Sequence, residues 1–393
     1  MTSPIPLEEA WQRLFALATP LSRETVPVDH AVGRYLAGDL QARRTQPARD
    51  LSVMDGFAVA GRGPWRLFGE SRAGTPFTGD LRPGAAVSIS TGAACPKGTE
   101  GIVVREDATL DGAMLAAATP EAGRWIRRRG FDFAEGATVL EAGTRIGPAQ
   151  LALARMAGHA SLEVGRRPRV AVVEIGEELV RDPAECPDDR LPASNGAMVA
   201  AMVCEAGGAA QRIGPLPDDR MALAGILGEH DADVIVTTAG ASVGEHDHVR
   251  GALEDSGWGL AFWRVAIRPG KPLLVARRGQ QIALGLPGNP NSSFVTAFLF
   301  LLPLLRAMQG SARPLPTAIQ LPLGEALPAG EDRREFRRAR FVGGRALPLA
   351  ERDSSALRTL GAADLLIDRP TDESAAAVGA IVSCYWIGSS GIA

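Results

Sequence analysis

The sequence predicts a multidomain α/β plus β protein, built around a central α/β domain with a mostly parallel sheet. Between residues 169 and 310, buried strand patterns alternate with helical patterns, as in parallel sheets that helices cover on both faces. From residue 41 to 130, and again after residue 310, short β patterns separated by turn signals dominate. The 393 residues are enough for several domains that each bury a core.

These patterns divide the chain into four predicted domains. Residues 1–40 and 133–167 form an N-terminal domain with a helical connector, and residues 41–132 form a β-rich domain inserted into it. Residues 168–310 form the α/β domain, and residues 311–393 form a C-terminal β-barrel-like domain. In the N-terminal domain, apolar residues at helical spacing and a short β pattern predict helices at Leu7–Ala18, Asp29–Leu36 and Pro148–Gly158 and a strand at Ala160–Val164.

The remaining elements follow from the same patterns. In the α/β domain we expect strands at Val170–Ile175, Ala210–Ile213, Val234–Val236, Ile282–Leu286 and a further strand that ends at Ala266–Ile267. We expect its helices at Asn195–Ala206, Arg220–Leu227 and from Asn291 onward, with Asn195 and Asp218 as N-cap residues. In the C-terminal domain we expect strands at Ala318–Leu323, Glu335–Val342 and Ala380–Trp386, and a helix at Ser355–Leu360.

Composition and charge exclude several classes of protein. Hydrophobic residues make up 46% of the chain and charged residues 22%, so the chain is globular. A net charge of −3 argues against nucleic acid or a membrane surface as partner. The apolar run Phe294–Leu305 is too short to span a bilayer, and the N-terminus lacks the pattern of a signal peptide. The four cysteines never show C-x-x-C spacing, so we expect a cytoplasmic protein without a zinc site or disulfides.

Three predicted strands end in loops of small, rigid or donor-rich residues: Ala239–Ser242, Arg268–Pro272 and Pro287–Pro290. Because the carboxyl ends of parallel strands meet at one edge of the sheet, we expect these loops to lie together there. Backbone N–H groups at turns and helix starts favour anions, and Arg268 and Lys271 add positive charge. Each loop alone is more often a simple turn, but together they predict a site for a small phosphate-bearing anion.

Four acidic residues fall at predicted strand or loop ends: Asp55, Glu178, Asp218 and Asp247. Carboxylates near an anion site hold a divalent cation that bridges to phosphate, or they orient water. Each also has a simpler interpretation, since Asp218 precedes a helix and Glu178 could be solvated. Asp247 lies between His246 and His248, but the H-x-H spacing without a third soft ligand nearby does not favour zinc.

Seven motifs follow one another along nearly the whole chain. They are Ser52-Val53-Met54-Asp55-Gly56-Phe57-Ala58-Val59, Ser90-Thr91-Gly92-Ala93, Arg128-Arg129-Gly130-Phe131-Asp132, Gly176-Glu177-Glu178-Leu179, Ser242-Val243-Gly244-Glu245-His246-Asp247, Arg268-Pro269-Gly270-Lys271-Pro272 and Leu286-Pro287-Gly288-Asn289-Pro290. In this order they resemble the motifs of the MoeA proteins, the molybdopterin molybdenumtransferases, whose relatives include the gephyrin E domain. The chain departs from the family pattern at Leu51, Ile175, Ala239, Ala241 and Arg268.

The resemblance implies an elongated four-domain subunit that forms a homodimer. It implies insertion of molybdate into adenylylated molybdopterin, with pyrophosphate cleavage, release of AMP and help from Mg²⁺. It also implies molybdopterin adenylyltransferase and recipient molybdoenzymes as partners. A second hypothesis is a carrier or chaperone that binds molybdopterin or the finished cofactor without catalysis.

The resemblance also implies roles for individual residues. The catalytic residues would be Asp55, Thr91, Asp132, Glu178 and Asp247, of which Glu178 and Asp247 would hold the metal. The substrate-binding residues would be Asp218, Ser242, Arg268, Lys271, Pro287, Gly288, Asn289 and Pro290. In the family, the cleft lies between the α/β domain of one subunit and the β-rich domain of the other.

Overall fold

Six strands form the central sheet of the computed structural model, which describes residues 3–240 and 248–387. Their order across the sheet is Ala209–Leu216, Arg169–Ile175, Val234–Thr237, Gln281–Gly285, Leu274–Arg278 and Gly259–Trp263. The first four strands are parallel, whereas each of the last two runs antiparallel to its neighbour. The sheet is therefore mixed, and its parallel part has the predicted strand–helix alternation.

Both faces of the central sheet are buried. Neighbouring side chains of a strand point to opposite faces of the sheet, so a strand that is buried along its length shows this. Within Arg169–Ile175, Val170 and Val172 belong to one buried apolar cluster, and Ala171 and Val173 belong to another. The helices that pack against these faces are Leu7–Leu17, Ser194–Glu205, Arg220–Glu229, Val249–Asp255 and Pro290–Met308. The described chain also contains the helices Pro148–Met156 and Leu357–Gly361.

The helix Pro290–Met308 is the longest helix of the described chain, and it contains one π-helical stretch at Ala297–Leu301. Pro303 has no N–H to donate to the carbonyl of Leu299 four residues earlier, and that oxygen accepts a hydrogen bond from Trp11 Nε1 at 2.8 Å. Length and composition alone would let this helix cross a membrane, but 83% of its most apolar window is buried inside the protein. It is the expected core helix.

A second six-stranded sheet, here called the β-rich sheet, forms from the segment between residues 56 and 116. Its order is Gly101–Val104, Gly56–Val59, Ala85–Ile89, Trp65–Ser71, Met114–Ala116 and Thr109–Asp111. Beside it, Leu51–Ser52 pairs antiparallel with Ile126–Arg127. This pairing brings the motif that begins at Ser52 next to the motif that begins at Arg128.

The N-terminal segment and residues 138–165 share a core that contains Val28, Leu36, Ile146 and Leu162. Two antiparallel pairs hold them together: Arg23–Pro27 with Ser161–Gly165, and Leu40–Gln41 with Thr138–Leu140.

The predicted helix Asp29–Leu36 is wrong, because only Val28–His30 forms a 3₁₀ turn. Gly33 has φ +80°, which breaks the helical path. The N–H of Leu36 then donates to the carbonyl of Thr144 at 3.0 Å, so the backbone pairs with a neighbouring segment.

The C-terminal sheet runs in the order Ile267–Arg268, Arg334–Val342, Leu365–Arg369, Ile381–Trp386 and Ile319–Pro322, and Arg345–Pro348 also pairs with Arg334–Val342. A bridge between Leu323 and Ala346 curls this sheet into a half-barrel. The assignment of Ala266–Ile267 to the central sheet is wrong. After Trp263 the chain turns at Arg264, where φ is +68°, and Ile267 pairs with Arg334.

The described chain also contains short elements outside the three large sheets. They are the parallel pair Leu179–Val180 and Leu191–Pro192 and the 3₁₀ turns Arg105–Asp107 and Pro183–Glu185.

Candidate active site

A cavity of about 590 Å³, here called the edge cavity, lies at the carboxyl edge of the central sheet. Its walls come from loops that follow three parallel strands, from the start of helix Ser194–Glu205 and from the segment before helix Leu357–Gly361. The lining residues are Glu174, Ile175, Glu178, Leu179, Leu191, Pro192, Ala193, Ser194, Asn195, Gly196, Thr238, Ala239, Gly288, Pro290, Ser355 and Leu357. The structure thus brings two of the three expected loops together.

The Glu178 side chain lies on the loop after strand Arg169–Ile175 and is exposed. Its carboxylate folds back over Gly176, where an added Cβ would lie 2.6 Å from Oε2 of Glu178. Gly176 also has φ +146°, so a side chain there would be strained for two reasons. The loop needs this glycine to present Glu178 at the cavity.

Glu174 is a functional candidate that the sequence reasoning missed. It lines the edge cavity, is completely buried and accepts a hydrogen bond from Arg212 Nη2 at 2.9 Å. An added Cβ at Gly196 would lie 2.1 Å from Oε1 of Glu174, so this glycine leaves room for the carboxylate. One feature of the sequence could have identified Glu174: it is an acidic residue within an apolar strand, and a buried acidic residue requires a partner.

Asn195 does not cap its helix, contrary to the prediction. The helix begins at Ser194 and Ala193 is its N-cap, with no side-chain hydrogen bond. The amide Nδ2 of Asn195 donates instead to the carbonyl of Gly288 at 2.6 Å. Asn195 therefore fixes the loop Pro287–Pro290 against the helix start, because tertiary contact outweighs the capping preference.

Asp218 is not a helix cap either. The neighbouring Asp219 caps helix Arg220–Glu229, since its carboxylate accepts from the N–H of Ala222 at 2.7 Å. Asp218 lies near the loop of Glu178, because the N–H of Gly176 donates to the carbonyl of Leu216 at 3.0 Å.

Several buried acceptor atoms at this edge have no hydrogen-bond partner among the described residues. They are Oδ1 of Asn195, Asp218, Asn289 and Asn291 and Oγ of Ser293. Buried polar groups are nearly always paired, so such a group implies a water or ligand. Their concentration here marks the edge as a binding surface.

Arg268 and Lys271 line a second cavity, of about 680 Å³, here called the basic cavity. It adjoins the edge cavity at the start of helix Pro290–Met308, since Pro290 lines one cavity and Asn291 the other. The third expected loop is therefore next to the other two, and not in the same cavity. It remains at the carboxyl edge because Leu274, just after it, pairs with Gly285.

Charge in the basic cavity is unevenly neutralised. Arg268 forms an ion pair with Glu331, whereas Lys271 is exposed and has no carboxylate partner among the described residues. The other charged lining residues are Arg333, Glu335, Arg337, Arg338, Glu351, Arg352 and Asp353. Six cations against four acids leave two positive charges in this lining, which favours an anionic ligand.

Arg338 holds the loop between the two cavities. Its guanidinium donates to the carbonyls of Glu351, Asp353 and Ala356 at 2.8, 2.9 and 3.0 Å. Burial lowers the pKa of Arg338, because desolvation disfavours its charged form. The three carbonyl oxygens partly replace the water that this cation loses.

In the β-rich segment, the structure joins Asp55 and Thr91. Oδ1 of Asp55 accepts from the N–H of Thr91 at 2.7 Å and from its Oγ1 at 3.2 Å. Asp132 is exposed on the turn that follows Arg128 and Arg129. The sequence reasoning missed Asp50, which pairs with Arg128 at 2.7 Å and accepts from the N–H of Arg129 at 2.8 Å.

Within one chain, the described residues of the β-rich segment do not line the edge cavity. The predicted residues Asp55, Thr91 and Asp132 are thus not brought to Glu178. Ser242 and Asp247 lie outside the described residues. Among the described residues, no group of three or more His, Cys, Asp or Glu could hold a metal ion.

Three family models match successive parts of the chain. They are described as "MoeA N-terminal region (domain I and II)" at residues 5–158, "Probable molybdopterin binding domain" at residues 171–307 and "MoeA C-terminal region (domain IV)" at residues 320–386.

Curated relatives and solved structures agree with these matches. A protein named molybdopterin molybdenumtransferase 2 from Mycobacterium tuberculosis is 34% identical over 377 residues, covering 90% of this chain and 93% of that protein. Molybdopterin molybdenumtransferase from Haemophilus influenzae is 32% identical over 316 residues, covering 78% of each chain. The fold is similar to that of the molybdopterin biosynthesis moeA protein from Pyrococcus horikoshii OT3, with a TM-score of 0.84, 24% identity and coverage of 98% of this chain and 100% of that one.

The relatives carry the names of enzymes, which does not favour the non-catalytic carrier. Together with the three matching family models, they show that the chain belongs to the MoeA family of molybdopterin molybdenumtransferases and is an enzyme of molybdenum cofactor biosynthesis.

Proposed function

We propose that this protein inserts molybdate into adenylylated molybdopterin, with cleavage of the pyrophosphate bond and release of AMP. One observation carries the proposal: the edge cavity and the basic cavity, which has excess positive charge, adjoin at one helix start, and several buried acceptors at this edge are unpaired. The first suits the polar groups of a pterin or nucleoside, and the second suits a tetrahedral oxyanion or a phosphate. Two adjoining sites of different character fit a reaction between two substrates.

The substrate-binding residues are assigned by cavity. Asp218, Pro287, Gly288, Asn289 and Pro290 belong to the edge with the unpaired acceptors. Arg268 and Lys271 belong to the basic cavity, where the charge of Lys271 has no carboxylate partner among the described residues. Ser242 is proposed from its motif alone.

Glu178 and Asp247 are the proposed metal ligands. Among the described residues, Glu178 lines the edge cavity, and Asp218 has a buried oxygen without a hydrogen-bond partner. Mg²⁺ usually binds through one or two carboxylates, several waters and substrate phosphates, so these residues fit it. When bound, the ion would stabilise negative charge on the phosphate oxygens.

The catalytic residues Asp55, Thr91 and Asp132 are proposed to act from a second subunit. Within one chain, Asp55 and Thr91 form an exposed hydrogen-bonded pair, and neither residue lines the edge cavity. A homodimer would give that pair a partner if the β-rich segment of one subunit covers the edge cavity of the other. The proposed catalytic set is then completed by Glu178 and Asp247.

The finer organisation is proposed on the same basis. Four domains with the predicted boundaries are supported by apolar cores within the β-rich, N-terminal and C-terminal parts, although Leu7, Ala10 and Leu14 of the first helix pack in the central core. We place the protein in the cytoplasm, where molybdopterin adenylyltransferase would supply its substrate and recipient molybdoenzymes would take its product.

The deciding experiment is incubation of the purified protein with adenylylated molybdopterin, molybdate and Mg²⁺ while AMP is measured. The proposal requires AMP release that depends on molybdate and on the protein. Tight binding of the substrate without AMP release would instead support the carrier.

A further inference from the structure

A third cavity, of about 350 Å³, lies away from the two cavities of the candidate active site. It is bounded by the turn around Gly143, by the end of helix Pro290–Met308 and by the segment 311–317 that leads into the C-terminal sheet. We call it the junction cavity, because three parts of the chain meet there. Its residues are not shared with the edge or basic cavity.

Close backbone approach shapes this cavity. Gly143 has φ +75°, and an added Cβ would lie 2.6 Å from the backbone nitrogen of Ala312. The N–H of Ala312 in turn donates to the carbonyl of Gly143 at 3.2 Å. The turn and the helix end are therefore held against each other, so the cavity belongs to the fold and does not depend on mobile side chains.

Arg306 is the residue of the junction cavity that points to a ligand. Its residue surface is 9% exposed, although it lines the cavity. Among the described residues its guanidinium makes one hydrogen bond, to the carbonyl of Pro314 at 3.4 Å, and no ion pair. Arginine has five donors and is rarely buried without a carboxylate or phosphate. Burial lowers the pKa of Arg306, which reflects the cost of desolvating this cation.

We propose that the junction cavity binds a small monocarboxylate, whose carboxylate pairs with the guanidinium of Arg306. The planar guanidinium offers parallel donors to a carboxylate. Tyr35 and Leu315, with large apolar side chains, and Thr144 and Ser311, with hydroxyls, also line the cavity. The volume is near the lower end of small-molecule pockets, roughly 300–1,000 Å³.

The charged residues of the lining favour a ligand with one negative charge over a ligand with two. Three arginines line the cavity, at 145, 306 and 313, and two glutamates, at 141 and 205, which leaves a net charge of +1. A monocarboxylate neutralises that charge. A phosphate dianion would exceed it and would lose more hydration on entering.

The test is calorimetric titration of the full-length protein with pyruvate, succinate and inorganic phosphate as probes. Saturable binding of pyruvate at one site per chain, with weaker binding of succinate and phosphate, is expected. In Arg306→Met, pyruvate affinity should fall at least about tenfold, on the order of one lost charge-assisted pair. The exposed Arg340→Gln is the matched control and should bind as the parent does.

Thermal unfolding separates a ligand-binding arginine from a structural one. Without probe, Arg306→Met should unfold at the same temperature as the parent or higher, because a buried unpaired cation is replaced by an apolar side chain. A clearly lower unfolding temperature would overturn the proposal, since Arg306 would then hold the fold. Absence of pyruvate binding to the parent, or tighter binding of phosphate, would overturn it without any variant.

Discussion

Asn195 and Gly288 join two walls of the edge cavity, since the side-chain amide of Asn195 donates to the carbonyl of Gly288 at 2.6 Å. The other polar atom of that amide, Oδ1, is buried and has no partner among the described residues. One side chain thus positions the loop after strand Gln281–Gly285 and leaves an acceptor for a ligand.

The first prediction is that Asn195→Ala binds adenylylated molybdopterin about fivefold to tenfold more weakly, because one ligand contact and the support of the Gly288 loop are lost together. Titration calorimetry measures the change. Gln211→Ala, at an exposed position of strand Ala209–Leu216, is the control. Equal affinity of the two variants would remove Asn195 from the site.

The second prediction concerns Lys271, whose charge is unneutralised by the described carboxylates of the basic cavity. Lys271→Ala should weaken binding of the anionic substrate and reduce the salt dependence of its affinity, because a screened charge contact is lost. Affinity measured at several salt concentrations tests both effects. The chain's other lysine, Lys97, lies near Asp80 at 3.6 Å, and Lys97→Ala should leave both quantities unchanged. If the two variants behave alike, the loop Arg268–Pro272 has only a structural role.

Local sequence patterns predicted helices and strands best where the spacing of apolar residues fits only one type of element. The helix Leu7–Leu17 and the strand Arg169–Ile175 have one obvious buried set each, so their types and approximate bounds were predicted correctly. The meeting of the loops after Val234–Thr237 and Gln281–Gly285 also followed from the parallel sheet. These results depend on neighbouring residues or on one rule of topology.

The errors occur where distant contacts decide. Ile267 belongs to the C-terminal sheet because it pairs with Arg334, which lies far along the chain. Asn195 does not cap its helix because its side-chain amide donates to the carbonyl of Gly288. Asp219 rather than Asp218 caps its helix, a choice between adjacent acids that depends on the exact backbone path. The pairing of Glu174 with Arg212 needs two neighbouring strands, and no local pattern contains both.

The third prediction concerns the thiols. Burial raises the pKa of Cys95 and of Cys384 to about 12. At pH 8 their thiolate fractions would then be on the order of 10⁻⁴. Since the thiolate is the reactive form, a disulfide reagent at pH 8 should react rapidly with the exposed Cys204 and hardly with Cys95 or Cys384 until the protein unfolds. Cys204→Ser should remove the part of the fast phase that comes from Cys204. Rapid labelling of all four thiols in the folded protein would contradict the described burial.

The fourth prediction concerns Asp247, which lies outside the described residues and keeps its role from its motif. Asp247→Asn should fold normally and bind the adenylylated substrate, yet release AMP at least about tenfold more slowly, on the order of 1.4 kcal/mol of barrier. The reason is that an amide is a much weaker Mg²⁺ ligand than a carboxylate. Asp219→Asn is the matched control, because Asn caps a helix about as well as Asp and Asp219 is the observed cap. Normal AMP release with unchanged Mg²⁺ dependence would exclude Asp247 as a metal ligand.

The fifth prediction tests whether the site is shared between two subunits. Light scattering at micromolar concentration should show a dimer, and only monomer would contradict a shared site. Asp55→Asn should be nearly inactive because the proposed catalytic carboxylate, which accepts from Thr91, becomes a neutral amide. Asp247→Asn should release AMP at least about tenfold more slowly, for the reason above.

Mixing these two variants discriminates further. If Asp55 of one subunit serves the cavity of the other, each mixed dimer contains one intact site and one doubly altered site. Random exchange makes half of the dimers mixed, so the mixture should regain about a quarter of the parent activity. If both residues serve a site within one chain, every site keeps one defect and mixing restores nothing. AMP release after unfolding and refolding the variants together, compared with each variant refolded alone, therefore decides between a shared site and two independent ones.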